Sequence, residues 1–171
     1  MEQSTRIIKD NLPDWIGEAK NIIHLDFHTG LGSKGECTMM LFDNEEKEYS
    51  NWAETKFPSA NRIEPWGGKT GYEARGTIGS YFLKKFSKEM RDYRPITAEF
   101  GTVKDKKVME ALIEENRAHF HPHPKIPINE KSKDRLLEAF CPDDEDSWRK
   151  PVVDKGIKLI NQGVSACFSQ T

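Results

Sequence analysis

Two residues in this chain stand where an apolar run breaks into a glycine turn, and both are of types that do hydrolytic chemistry. His28 follows Ile22-Ile23-His24-Leu25-Asp26-Phe27 and leads into Thr29-Gly30-Leu31-Gly32. Glu99 follows Tyr93-Arg94-Pro95-Ile96-Thr97-Ala98 and leads into Phe100-Gly101-Thr102. In α/β proteins, ligands gather at strand ends of this kind. A neutral imidazole is a good metal ligand near pH 7, and a carboxylate beside it can take a proton from water. Two satisfied polar residues at two strand ends are the competing reading. Asp26 lies two residues before His28, so both side chains point to one face of the strand, about 6.5 Å apart along it. It can orient a ligand at His28 or accept a backbone N–H. His24 shares that face nearer the strand's start and reads as a core or interface histidine.

Other candidates carry less. His119-Phe120-His121-Pro122-His123-Pro124 brings three histidines close in sequence. The prolines make the segment extended, so three imidazoles cannot easily close round one ion. A solvated helix-to-loop junction with adventitious zinc or nickel binding is expected there. Cys37, Cys141 and Cys167 are odd in number and far apart, with no C-x-x-C pair. They read as free thiols of a reducing cytoplasm. There is no Gly-x-Ser-x-Gly elbow, phosphate loop or dinucleotide fingerprint. Gly30-Leu31-Gly32-Ser33-Lys34-Gly35 opens no helix and lacks the fingerprint spacing.

The elements that must position these groups alternate. Residues 4–10 and 14–20 read as two short helical pieces, with Pro13 opening the second. Residues 21–27 read as a central strand, because both faces carry apolar side chains. Residues 36–43 read as a second strand. Residues 44–76 read as a long surface excursion anchored by Trp52, Phe57 and Trp66, with 66–72 as either an adaptable binding loop or a plain connector. Helical spacing marks 77–88, 105–119, about 131–140 and about 151–164, and 93–100 reads as a strand. The fold expected is α/β, a mixed sheet flanked by helices, in a single domain over 1–171.

Composition bounds the partners. The chain has 171 residues, enough for one domain with a real core. A net charge of −2 with both signs interspersed gives no support for nucleic-acid or anionic-membrane binding. No apolar stretch approaches a membrane span, and the first residues have no signal-peptide core. A cytoplasmic protein is expected.

The segment Leu25-Asp26-Phe27-His28-Thr29-Gly30-Leu31-Gly32 resembles the D-x-H-T-G-L-G signature of a bacterial branch of the zinc carboxypeptidase family. That branch carries the label of a domain of unknown function. It is related to carboxypeptidase A and to the succinylglutamate desuccinylase/aspartoacylase group. Thr97-Ala98-Glu99-Phe100-Gly101-Thr102 is similar to the branch's E-F-G-T signature. Ala111-Leu112, Glu115-Asn116, His119, Ala139-Phe140-x-Pro142 and Trp148 extend the likeness over about residues 20–165. The resemblance implies that His28 is a zinc ligand and that Glu99 is the general base and acid. Asp26, Thr29, Gly30 and Gly32 would then form the turn and outer support of the site.

The likeness is partial. The family's first two zinc ligands come from a His-x-x-Glu motif, and none of the five histidines here has Glu three residues on. The family's Asn-Arg segment, which fixes substrate carboxylates, finds no counterpart in this reading. The chain thus resembles the C-terminal half of a zinc-dependent hydrolase of peptide or acyl-amino-acid amide bonds, with an incomplete metal site that would not hold zinc tightly alone. A non-catalytic binding or assembly module, or a truncated inactive homologue, is the alternative. A missing half would leave a sheet edge and an apolar face uncovered, so an N-terminal half-domain partner or self-association is expected.

Overall fold

The computed structural model describes residues 2–42, 47–65, 76–121 and 130–168. In chain order they form α1 (Gln3–Ile16), β1 (Asn21–Gly30), β2 (Cys37–Leu41), α2 (Lys47–Lys56), β3 (Arg62–Pro65) and α3 (Ile78–Ser87). Then follow β4 (Asp92–Gly101), α4 (Asp105–Phe120), α5 (Glu130–Phe140), a π-helical turn (Glu145–Arg149) and α6 (Lys150–Phe168). The strands make one sheet in the order β1-β4-β2-β3. β1 runs parallel to β4, β2 antiparallel to β4, and β3 parallel to β2. The fold is α/β with a mixed sheet and helices around it.

Strand alternation assigns the two faces. Ile96, Ala98 and Phe100 of β4 lie with Cys37, Met39 and Leu41 of β2 on one face, packed against Ala53, Phe57 and Leu159. This face is the main core, closed by α2 and α6. The other face is apolar only at one end, where Tyr93 meets Phe82 and Phe86 of α3, with Ile8, Leu12 and Ile16 of α1 and Ile22 of β1 around them. Towards the far end it becomes polar, and there the candidate residues lie.

Three expectations are corrected. β1 is an edge strand among the described residues, and β4 and β2 are the interior ones. β1 carries apolar residues on both faces because Ile22 joins the α1–α3 cluster while Ile23 and Leu25 join the other core. α1 is one helix that runs through Pro13. Pro13 stands near its C-terminal end, where a missing N–H forfeits a single helical bond, and Gly17 N–H still donates to Pro13 O (3.2 Å). The expected excursion over 44–76 contains α2 and β3, and within it Phe57 is fully buried. Trp66 and the suggested binding loop at 66–72 lie outside the described residues. No helix among the described residues is long and apolar enough to cross a membrane.

Candidate functional site

His28 and Glu99 are direct register partners across the parallel β1–β4 pair, as are Asp26 and Thr97. Partners in register share a face of the sheet. The same rows continue across β2 and β3. Glu99 is opposite Thr38, which is opposite Arg62, while Thr97 is opposite Met40, which is opposite Glu64. One row of the sheet therefore reads His28, Glu99, Thr38, Arg62, and its neighbour reads Asp26, Thr97, Met40, Glu64. Both strand-end residues lie inside their strands rather than beyond them, since β1 extends to Gly30 and β4 to Gly101.

Within the site, His28 Nε2 lies 3.0 Å from Asp26 Oδ2, with both side chains about half exposed. That hydrogen bond holds the His28 imidazole above its ordinary pKa, against a smaller opposing effect of burial. The same bond holds the Asp26 carboxyl below its ordinary value. Glu99 is only 7% exposed. Burial pushes its carboxyl up, opposed by the Leu31 N–H, which donates to Oε1 at 2.9 Å. Thr97 Oγ1 is buried without a hydrogen-bond partner. His24, expected as a core or interface histidine, is partly buried: its Nδ1 lies 2.6 Å from the Tyr93 hydroxyl, and burial lowers its pKa.

The glycine turn is built onto the end of β4. Gly30 and Gly32 have φ of +149° and +105°, backbone that L side chains rarely adopt. Gly35 N–H donates to Gly101 O (2.9 Å), and Gly101 N–H donates to Glu36 O (3.0 Å). A β-carbon at Gly101 would collide with the backbone of Gly32 and Ser33. Thr102 Oγ1 lies 2.9 Å from Gly30 O and 2.5 Å from Ala139 O. The Trp148 indole donates to Gly101 O (2.9 Å), and Phe140 packs over Gly30. The segments around His28, Glu99, Ala139-Phe140 and Trp148, far apart in sequence, thus meet at one end of the sheet.

A family model described as "Protein of unknown function (DUF2817)" matches residues 1–155. The chain belongs to that family. No curated protein and no solved structure gives a significant match. In this DUF2817 chain the matched residues include the whole sheet, the glycine turn and the π-helical turn that carries Trp148.

The donor set of this DUF2817 site does not fit a catalytic zinc by itself. Such a zinc takes three protein ligands and a water. Among the described residues, no group of three His, Cys, Asp or Glu is arranged to hold a metal ion. His28 and Asp26 are two adjacent donors, and they bind each other. His119 lies in the last turn of α4, His121 caps that helix, and His123 is outside the described residues. All three cysteines are free, and burial pushes the Cys37 thiol up to about 12, far from thiolate chemistry.

Sequence reasoning missed Thr38, the register partner of Glu99, and Arg62, the register partner of Thr38. The chain does hold two Asn-Arg pairs, Asn61-Arg62 and Asn116-Arg117, which corrects the reading that found none; both fall after His28 in chain order. Asn61 Oδ1 accepts from Cys37 N–H (2.9 Å) and fixes β3 beside β2. Arg62 lines a polar recess of about 390 Å³ together with Thr38, Lys104 and Asp105. The signal was the alternation Arg62-Ile63-Glu64, too short to stand out in a polar stretch.

Proposed function

We propose that this chain carries the acid–base half of a hydrolytic site for peptide or acyl-amino-acid amide bonds. The observation that carries the reading is Glu99: a carboxylate at the end of a central strand, buried, raised in pKa and aimed by one backbone N–H, in the same row as His28. A carboxyl group raised above its ordinary value accepts a proton more readily than an ordinary carboxylate. In the proposed reaction Glu99 takes a proton from water as the water oxygen bonds to the amide carbon. It returns that proton to the nitrogen as the C–N bond breaks, releasing an amine and a carboxylic acid. The Asp26 bond fixes the His28 ring beside the reacting centre. Arg62 and Lys104 line the recess next to that row together with Glu36 and Asp105, so it offers both signs of charge to a polar substrate.

The resemblance to zinc carboxypeptidases supports the same chemistry; in a complete site His28 would be one zinc ligand and a partner segment carrying His-x-x-Glu would supply the others. The short donor set is the specific observation that favours the second reading, a non-catalytic module that retains the fold. The test is hydrolysis of N-acyl amino acids and short peptides by the chain combined with a segment that supplies a His-x-x-Glu pair. Activity should fall roughly 10²–10⁴-fold in Glu99→Gln while metal content stays unchanged. Undiminished turnover in Glu99→Gln would remove Glu99 from the mechanism, and no turnover in any combination would favour the binding module.

A further inference from the structure

The exposed surface of α6 carries an apolar stripe, flanked by exposed Lys150, Asp154, Lys158, Asn161 and Ser165. Val153, Ile157, Ile160 and Val164 are each about half exposed, and Phe168 continues the stripe at 79% exposure. The opposite face of the same helix is buried: Leu159, Gly163 and Ala166 face the protein, and Gly163 lies against Leu25 and Phe57. The helix therefore has its sheet contact on one side and a second apolar stripe on the other. The first four residues of that stripe are separated by four, three and four positions. This alternation keeps one row of side chains facing a neighbouring helix over successive turns.

We propose that α6 pairs with the α6 of a second copy of this chain. The inference goes beyond the hydrolytic reading and does not depend on it. The size is adequate. The exposed fractions amount to about 500 Å² of apolar surface per copy, so at most ~1,000 Å² for a symmetric pair, the size of a weak, reversible interface. The chemistry suits a like partner. No charged side chain interrupts the stripe, and the acid beside its first residue, Asp154, is paired with Lys150 at 2.8 Å. An isologous contact brings the same patch to itself, and an uncharged patch does so without repulsion. The first four residues of the stripe are all Val or Ile, whose side chains have little rotamer freedom to lose on association. Four of its five residues also lie beyond the family match at residues 1–155.

Sedimentation equilibrium of the full chain tests the pairing. A dimer should form at micromolar concentration, and Ile157→Asp combined with Ile160→Asp should weaken it by at least roughly 30-fold, as expected for central interface residues. Because both side chains are half exposed, far-ultraviolet circular dichroism should be unchanged. The neutral variant Ile160→Ser, milder for folding, should weaken the dimer in the same direction. Ile113→Asp, on the exposed side of α4, should leave it intact. A wild-type chain that stays monomeric, a dimer that survives both α6 variants, or a dimer lost in Ile113→Asp would each overturn the proposal.

Discussion

Glu99 illustrates the conflict between stability and chemistry at a single residue. Burial favours its neutral form in the folded state. Above the ordinary carboxyl value the folded protein then binds more protons than the unfolded chain, so stability falls as pH rises through the raised value. Glu99→Gln keeps an oxygen for the Leu31 N–H and removes the buried charge. It should raise stability at pH 7 by on the order of 1 kcal/mol, with the gain fading below the ordinary Glu value of 4.5. Urea melts of both proteins at pH 7 and pH 4 check this; equal stability at pH 7 would count against a strained carboxylate. The neighbouring Asp26–His28 pair behaves differently. Its His28 contribution is present below the ordinary His value of 6.5 and is lost as pH rises through the raised one. Its Asp26 contribution is present above the ordinary 3.8 and is lost as pH falls through the lowered one. The pair is therefore strongest between those limits, and at half exposure it contributes only about a few tenths of a kcal/mol. Asp26→Asn should lower the His28 pKa, read by NMR titration of the ring protons; an unmoved His28 would break the pairing.

At the scale of elements, the glycine turn and the end of β4 are one unit. Gly30→Ala and Gly32→Ala should each cost about 1 kcal/mol or more, because alanine disfavours their φ. At Gly30 the new methyl would also press on Phe140, 3.0 Å away. Gly101→Ala should be worse, about 3 kcal/mol, since the obstruction is backbone and cannot rotate aside. Thermal melts of the three variants give the ranking, and a Gly101→Ala protein as stable as wild type would contradict the close approach. The strand-end placement of His28 and Glu99 and the need for a glycine turn were legible in the sequence, because apolar runs and glycines are local signals. The edge position of β1 was not, since Ile22 and Leu25 are covered from opposite sides by distant helices. Neither were α2 and β3. Their residues are largely polar, and Ala53 and Glu64 are buried only through contacts made far away in sequence; of their surroundings only aromatic anchors such as Phe57 were legible. Arg62 was lost from the candidate site for the same reason.

For the molecule as a whole, the site is built to a defined fraction. The sheet brings Glu99, His28 and Asp26 to one face, and the described residues add no third donor within reach. Two adjacent, mutually bonded donors on an open edge strand should hold zinc weakly and exchange it quickly. Any adventitious metal is expected at His119, His121 and His123 instead. The decisive measurement is zinc content of the purified chain after dialysis, with His28→Ala and the combined replacement of His119, His121 and His123 beside it. No tightly held zinc is expected at His28, with any residual metal surviving His28→Ala and disappearing in the triple replacement. One tightly held zinc per chain, lost in His28→Ala, would show that the chain completes the site by itself and would contradict a partial site.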